Sequence, residues 1–227
     1  MSILYDQAAD VIRRIYDMRI EAPPVLDLAS NFPDGERYRA AWREIRAEAS
    51  MVANKLHEVP QFHEVMPEQK SISATDNRAW RMFILKAYGI ELPRNMAACP
   101  TLQRLASTTP DVLSASISFL APGKHIPAHR GPLRGVLRFY MALSMPKRPD
   151  GTPAAVLKIA GVEHRLSDGE CLLWDDTYEH EVWNDSDEVR SVLLLDVWRR
   201  SMPADMKILS AILIGIVRIG MGLRRFS

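Results

Sequence analysis

Cysteine is nearly absent. Cys99 and Cys171 are the only two in 227 residues, and they form no CxxC pair. That argues against a disulfide framework and for a reducing compartment with buried thiols. Charge of one sign is missing too: 29 Lys and Arg against 28 Asp and Glu leave a formal net charge of +1. Without a basic field to attract phosphates, nucleic acid is not an expected partner. No apolar run reaches the roughly 20 residues needed to span a bilayer. The longest candidate, 208–217, contains Ser210 and Gly215 and is stopped by Arg218. A leader pattern is absent as well, because Asp6, Asp10, Arg13, Arg14 and Asp17 punctuate the first twenty residues. The expected location is the cytoplasm. Internal repeats and low-complexity stretches are also lacking.

What remains is ordinary globular composition, 47% apolar and 25% charged, in a chain long enough for one domain with a full core. Residues 1–110 read as a mainly helical part. Leu4, Ala8, Val11, Ile12, Ile15 and Met18 recur at helical spacing until Pro23-Pro24 ends the pattern. A second helix follows the Pro33-Asp34-Gly35 turn, with Tyr38, Trp42, Ile45, Val52 and Leu56 as its buried stripe. Residues 80–88 are strand-like, and 101–105 suit a short helix after Pro100.

From Val112 to about residue 200 the pattern changes to short strands: 112–120, 136–144, 155–159, 162–166, 171–174, 181–184 and 191–197. Pro122-Gly123, Pro149-Asp150-Gly151, Gly161, Asp168-Gly169 and Asn184-Asp185 punctuate them. Many short strands at this spacing imply a sandwich or barrel. The fold class is therefore mainly β with a helical N-terminal part. Residues 201–227 form an apolar C-terminal helix with Lys207, Arg218, Arg224 and Arg225 along it. Such a helix either lies in a membrane interface or packs on the barrel or a second subunit, and periodicity does not separate the two.

Two histidines stand out. His129 and His180 each lie beside strand-like sequence, and each is followed by an arginine: Arg138 nine residues on, Arg190 ten residues on. Neutral imidazole is the commonest metal ligand, and a guanidinium fork suits a carboxylate. Strand alternation groups Val136, Arg138 and Tyr140 on one face against the apolar Leu137, Phe139 and Met141. That polar face is either solvated or lines a barrel interior. It likewise groups Ser116 with Ser118, and Arg190 with Val192, Leu194 and Asp196. Taken singly, a histidine is more often structural than a ligand. His57, His63, His125 and His164 compete for the role, and Asp175, Asp176, Glu179 and Glu181 could each add a carboxylate or cap a turn. Trp174 and Trp183 are expected in the core or walling a pocket.

Together these residues resemble a family. The motifs P-G-x-H-x-x-x-H-x-G-P at 122–132, L-R-x-x-x-x-L at 137–143, D-D-x-x-x-H-E-V-W at 175–183, then an arginine and L-x-D-V-W at 194–198, stand in this order. They are similar to the catalytic core of the aspartyl/asparaginyl β-hydroxylases, iron(II)- and 2-oxoglutarate-dependent dioxygenases. The resemblance implies a double-stranded β-helix, a jelly-roll or cupin-like barrel with supporting helices, and O2 as co-oxidant. By position, it implies His129 and His180 as iron ligands, and Arg190 on the distal carboxylate of 2-oxoglutarate. Arg138 would bind the other end of that cosubstrate near the iron, with Ser118 and Tyr140 at further cosubstrate-binding positions. The superfamily's usual third ligand, a carboxylate two residues after the first histidine, is replaced by Gly131, as in the residue-hydroxylating members.

The implied substrate is a lipid acyl chain, or else an aspartyl or asparaginyl residue or a free amino acid. R-x-F-x-L-K-x-Y-G-x-x-L-P at 81–93, with Cys99-Pro100, looks more like the lipid-modifying members. The apolar tail would then bring a cytoplasmic enzyme to the inner membrane as a peripheral protein. A non-catalytic β-barrel binding module, with structural histidines, is the alternative of a different class, and it leaves the two arginines without a task.

Overall fold

Alternation along the long strands decides how the molecule is layered. The computed structural model describes residues 3–223, and in it eleven strands form two antiparallel sheets. They are β1 (Val25–Leu26), β2 (Trp80–Ala87), β3 (Ile90–Glu91), β4 (Val112–Leu120), β5 (His125–His129), β6 (Val136–Ser144), β7 (Ala155–Ile159), β8 (Val162–His164), β9 (Cys171–Trp174), β10 (His180–Asn184) and β11 (Arg190–Trp198). One sheet has the order β1-β9-β6-β11-β4-β2-β3 and the other β5-β10-β7-β8. From β4 onward the chain passes repeatedly from one sheet to the other, which is the winding of a jelly roll.

The large sheet has two apolar faces. Ile117, Phe119, Leu137, Phe139, Met141, Leu173, Leu193 and Leu195 pack outward against the helical layer, with Tyr38, Ile45, Ala49 and Val52 from the helices Gly35–Ala40 and Trp42–Ala53. The alternate residues face the small sheet: Met82, Leu120, Tyr140, Trp174 and Val192 meet Ile126, Leu157, Ile159 and Val182. The face bearing Arg138 and Tyr140 therefore lines the barrel interior.

Several local expectations change. The first helix spans Ile3–Asp17; Ile12 and Ile15 of the expected stripe pack on the body, but Val11 and Met18 are exposed, and Ala9 and Tyr16 are buried. Leu4 of the expected stripe has no described side chain. The segment at 162–166 shortens to β8. Strand β5 contains Pro127, which lacks an N–H and reads as a loop. It still pairs with β10.

The C-terminal helix Ala204–Leu223 packs Met206 and Ile214 against Tyr16, Ile20, Leu133 and Val136. Ser210, fully buried between them, is hydrogen-bonded to Tyr16 at 2.6 Å. Among the described residues, no helix is long and apolar enough to cross a membrane. Arg224 and Arg225 lie outside the described residues.

Candidate active site

A β-bulge brings the two histidines together. His180 pairs with His129 and Val182 with Ile126, so β5 carries one extra residue between these pairs. In a regular strand Ile126 and His129, three apart, would face opposite sides. The bulge turns both toward the interior. The two rings lie 4.0 Å apart between centroids, inclined at 57°. Nδ1 of His129 lies 2.8 Å from the carbonyl oxygen of Pro127, and Nδ1 of His180 lies 2.9 Å from that of Tyr178. A carbonyl oxygen only accepts, so both Nδ1 atoms carry the proton and both Nε2 atoms keep their lone pairs. Burial lowers the pKa of each ring, for His180 well below its ordinary value, with the neighbouring histidine adding to the effect. Burial thus favours the neutral form of both rings, and the Nδ1 hydrogen bonds leave both Nε2 lone pairs available to a metal.

A carboxylate fills the space beside Gly131. A Cβ built on Gly131 would fall inside the Asp176 carboxyl group. Asp176 is thus presented beside Gly131 from another loop, at the backbone position where a side chain two residues after His129 would begin. Burial raises its pKa to about 6, with Arg138 opposing and Asp196 assisting. Arg138 sits between both carboxylates, its Nη2 at 2.8 Å from Asp196 and 3.3 Å from Asp176. Burial works against the guanidinium's charge, but the two acids outweigh it and hold its pKa above the ordinary value. Arg138 therefore has its charge already shared between two acids. That suits positioning better than capture of a free dianion.

Arg190 is the opposite case. It is 2% exposed, and among the described residues no carboxylate meets it and its Nε and Nη1 have no hydrogen-bond partner. The guanidinium lies 5.8 Å from the centre of the Tyr140 ring, and burial lowers its pKa. An unpaired buried cation is costly, so these free donors suit an anion. Ser118, 1% exposed, accepts a hydrogen bond at 3.0 Å from Nε1 of Trp80, which leaves its own hydroxyl proton to donate. Trp80 is stacked on Phe62. Trp174 stands edge-on to His180 at 4.5 Å, and its indole N–H is a second buried donor without a partner.

His129, His180, Arg138, Tyr140, Arg190 and Ser118 thus all line one interior. The competing histidines do not. His125 is exposed on the outer face beside Trp183 and Glu181, which also takes Trp183 out of the pocket wall. His57 is exposed, His63 meets Ser73, and His164 lies on β8. Asp175 is fully buried and holds Arg134 at 3.0 Å, Arg199, and the backbone and hydroxyl of Thr177, so its task is structural. Glu179 is exposed. Among the described residues, no cluster of three or more His, Cys, Asp or Glu side chains could hold a metal ion. Sequence alone did not separate Asp176 from its neighbour. The signal was there, in a glycine at the ligand position and two consecutive aspartates before the second histidine.

The model of the aspartyl/asparaginyl β-hydroxylase family matches residues 39–200. The chain belongs to that family. An ornithine lipid ester-linked acyl 2-hydroxylase from Rhizobium tropici is 37% identical over 174 residues, 77% of this chain and 60% of that protein. The aspartyl/asparaginyl β-hydroxylase of Mus musculus is 28% identical over 176 residues, 72% of this chain and 22% of that protein. The chain thus matches under two thirds of the length of either relative. Among solved structures, a cupin domain of an XRE-family transcriptional regulator from Enterobacter cloacae aligns with a TM-score of 0.32 and 20% identity, over 38% of this chain and 82% of that one.

Proposed function

We propose that this family member is an iron(II)- and 2-oxoglutarate-dependent hydroxylase of an unactivated C–H bond, acting on a lipid acyl chain. The observation that carries the reading is Arg190, a buried guanidinium with free donors inside the same barrel as two neutral imidazoles. A dicarboxylic acid that chelates a metal at one end and meets an arginine at the other satisfies both. Bound together, iron and 2-oxoglutarate supply O2 activation: one oxygen atom goes to the substrate C–H, the other to succinate, with release of CO2.

The protein's own residues position and exclude. His129 and His180 would hold the metal through Nε2, each fixed in orientation by its Nδ1–H bond to a backbone carbonyl. Arg190 would take the distal carboxylate, assisted by the Ser118 hydroxyl. Tyr140 would wall the cosubstrate and offer its phenol as a donor. Arg138, held by Asp176 and Asp196, would orient groups at the near end. Trp174, Met82, Leu120 and Val192 keep the interior apolar, which protects the reaction from water. No acid–base side chain is assigned.

The acyl-chain substrate is supported by the Rhizobium tropici relative, whose name assigns it ester-linked acyl chains of ornithine lipid. The mouse relative favours a second reading, hydroxylation of aspartyl or asparaginyl residues. The reading carries with it a cytoplasmic location beside the inner membrane, in keeping with two free cysteines. Its test is succinate release by iron-loaded protein supplied with 2-oxoglutarate and O2 and offered either dispersed acyl lipids or aspartyl peptides. Turnover with lipids alone is expected. Turnover with peptides alone would move the substrate to the second reading, and none with either, in protein shown to bind neither iron nor 2-oxoglutarate, would make the barrel a binding module.

A further inference from the structure

The C-terminal helix is apolar on two opposite faces, and among the described residues only one has a partner. Met206, Ser210 and Ile214 are buried on the body of the protein. On the far side Ile208, Ile212, Ile216 and Ile219 form a ridge at helical spacing, exposed by 63, 55, 61 and 68%. A continuous exposed aliphatic surface of this kind marks an interaction site. Lys207 and Arg218, both exposed, lie on one side of the helix between the ridge and the buried face, and Arg218 keeps its charge while donating through Nε to the Tyr88 carbonyl at 2.7 Å. Arg224 and Arg225 continue the basic character in sequence.

The flanking cations decide the occupant. A second copy meeting this ridge antiparallel about a twofold axis would set Lys207 of one helix near Arg218 of the other, which repel. An anionic bilayer offers aliphatic chains to the ridge and phosphates to Lys207 and to the exposed side of the Arg218 guanidinium. The helix also sits close behind the site. Its Ser210 fills the space over Gly135, Leu133 joins its buried cluster, and Arg13 of the adjoining helix donates to the Gly131 carbonyl at 3.2 Å. That loop, 130–135, links His129 to the strand bearing Arg138 and Tyr140.

We infer that the isoleucine ridge docks on an anionic phospholipid surface, laying the helix in the headgroup region and bringing the metal end of the barrel to the membrane. Its purpose rests on the acyl-chain reading above, although the surface itself does not. The test is flotation of the full chain with vesicles of phosphatidylcholine and phosphatidylglycerol, comparing wild type with the double variant I212E/I216E. Wild type is expected to float, and the variant to lose roughly tenfold or more in partitioning, with unchanged thermal stability and 2-oxoglutarate binding. Failure of wild type to float, or equal flotation of the variant, would overturn the docking surface. So would a wild-type dimer that ignores vesicles and that the variant dissociates. Protein that floats yet releases no succinate with acyl lipids keeps the surface and loses the substrate reading. Protein that turns over detergent-dispersed lipid without floating does the reverse.

Discussion

At the scale of single residues, what is left unpaired is more telling than what is paired. Arg190 holds an uncompensated charge in the barrel, so Arg190→Met has effects of opposite sign with and without ligand. Without ligand, thermal melting should rise by a few degrees as the buried cation is removed. Affinity for 2-oxoglutarate should fall about tenfold to a hundredfold, the worth of a charged hydrogen bond, as titration of the metal-loaded protein would measure. The free indole N–H of Trp174 makes a milder case. Trp174→Phe should leave melting of the ligand-free protein nearly unchanged and weaken 2-oxoglutarate binding about threefold to tenfold. Gly131 is constrained by Asp176 rather than by its own dihedral angles. Gly131→Ala should cost about 1–3 kcal/mol by crowding. Adding Asp176→Gly should recover much of that loss in chemical denaturation. Strict additivity of the two changes would mean that the groups do not compete for the space.

At the scale of elements, legibility in the sequence followed the regularity of the strand. β4, β6 and β11 were readable as long apolar-rich strands bounded by turn signals, and the two-residue period of a strand grouped Arg138 with Tyr140 from sequence alone. β5 was not readable, because Pro127 hides the strand and the bulge reverses parity just before His129. The pairing of His129 with His180 is a long-range event, and nothing local encodes it. Asp175 and Asp176 illustrate the same limit: adjacent and identical in type, they point to different tasks only once Arg134 and Arg199 are seen to close on Asp175. Asp175→Ala would leave two buried guanidinium groups facing each other. A loss of about 3–5 kcal/mol is expected, a fall in Tm on the order of 10 °C. A shift under about 2 °C would show that this cluster does not hold the loop before β10.

At the scale of the whole molecule, the two layers divide the labour. The outward face of the large sheet and its helices supply the larger apolar core, which leaves the inward face free to carry arginines and serines that would otherwise weaken it. The double-stranded β-helix was anticipated from the motif order. The two-faced C-terminal helix was not, because a continuous apolar run does not reveal which of its faces meets protein. The central claim is that His129 and His180 share one metal with a dicarboxylate anchored by Arg190. Anaerobic titration of the iron(II)-loaded protein with 2-oxoglutarate, followed by its visible charge-transfer absorption, tests it most directly. A saturable band is expected in wild type, absent in His129→Ala and His180→Ala, and reached only at far higher 2-oxoglutarate in Arg190→Met. A wild-type protein that shows no band, or a band indifferent to all three substitutions, would contradict the account.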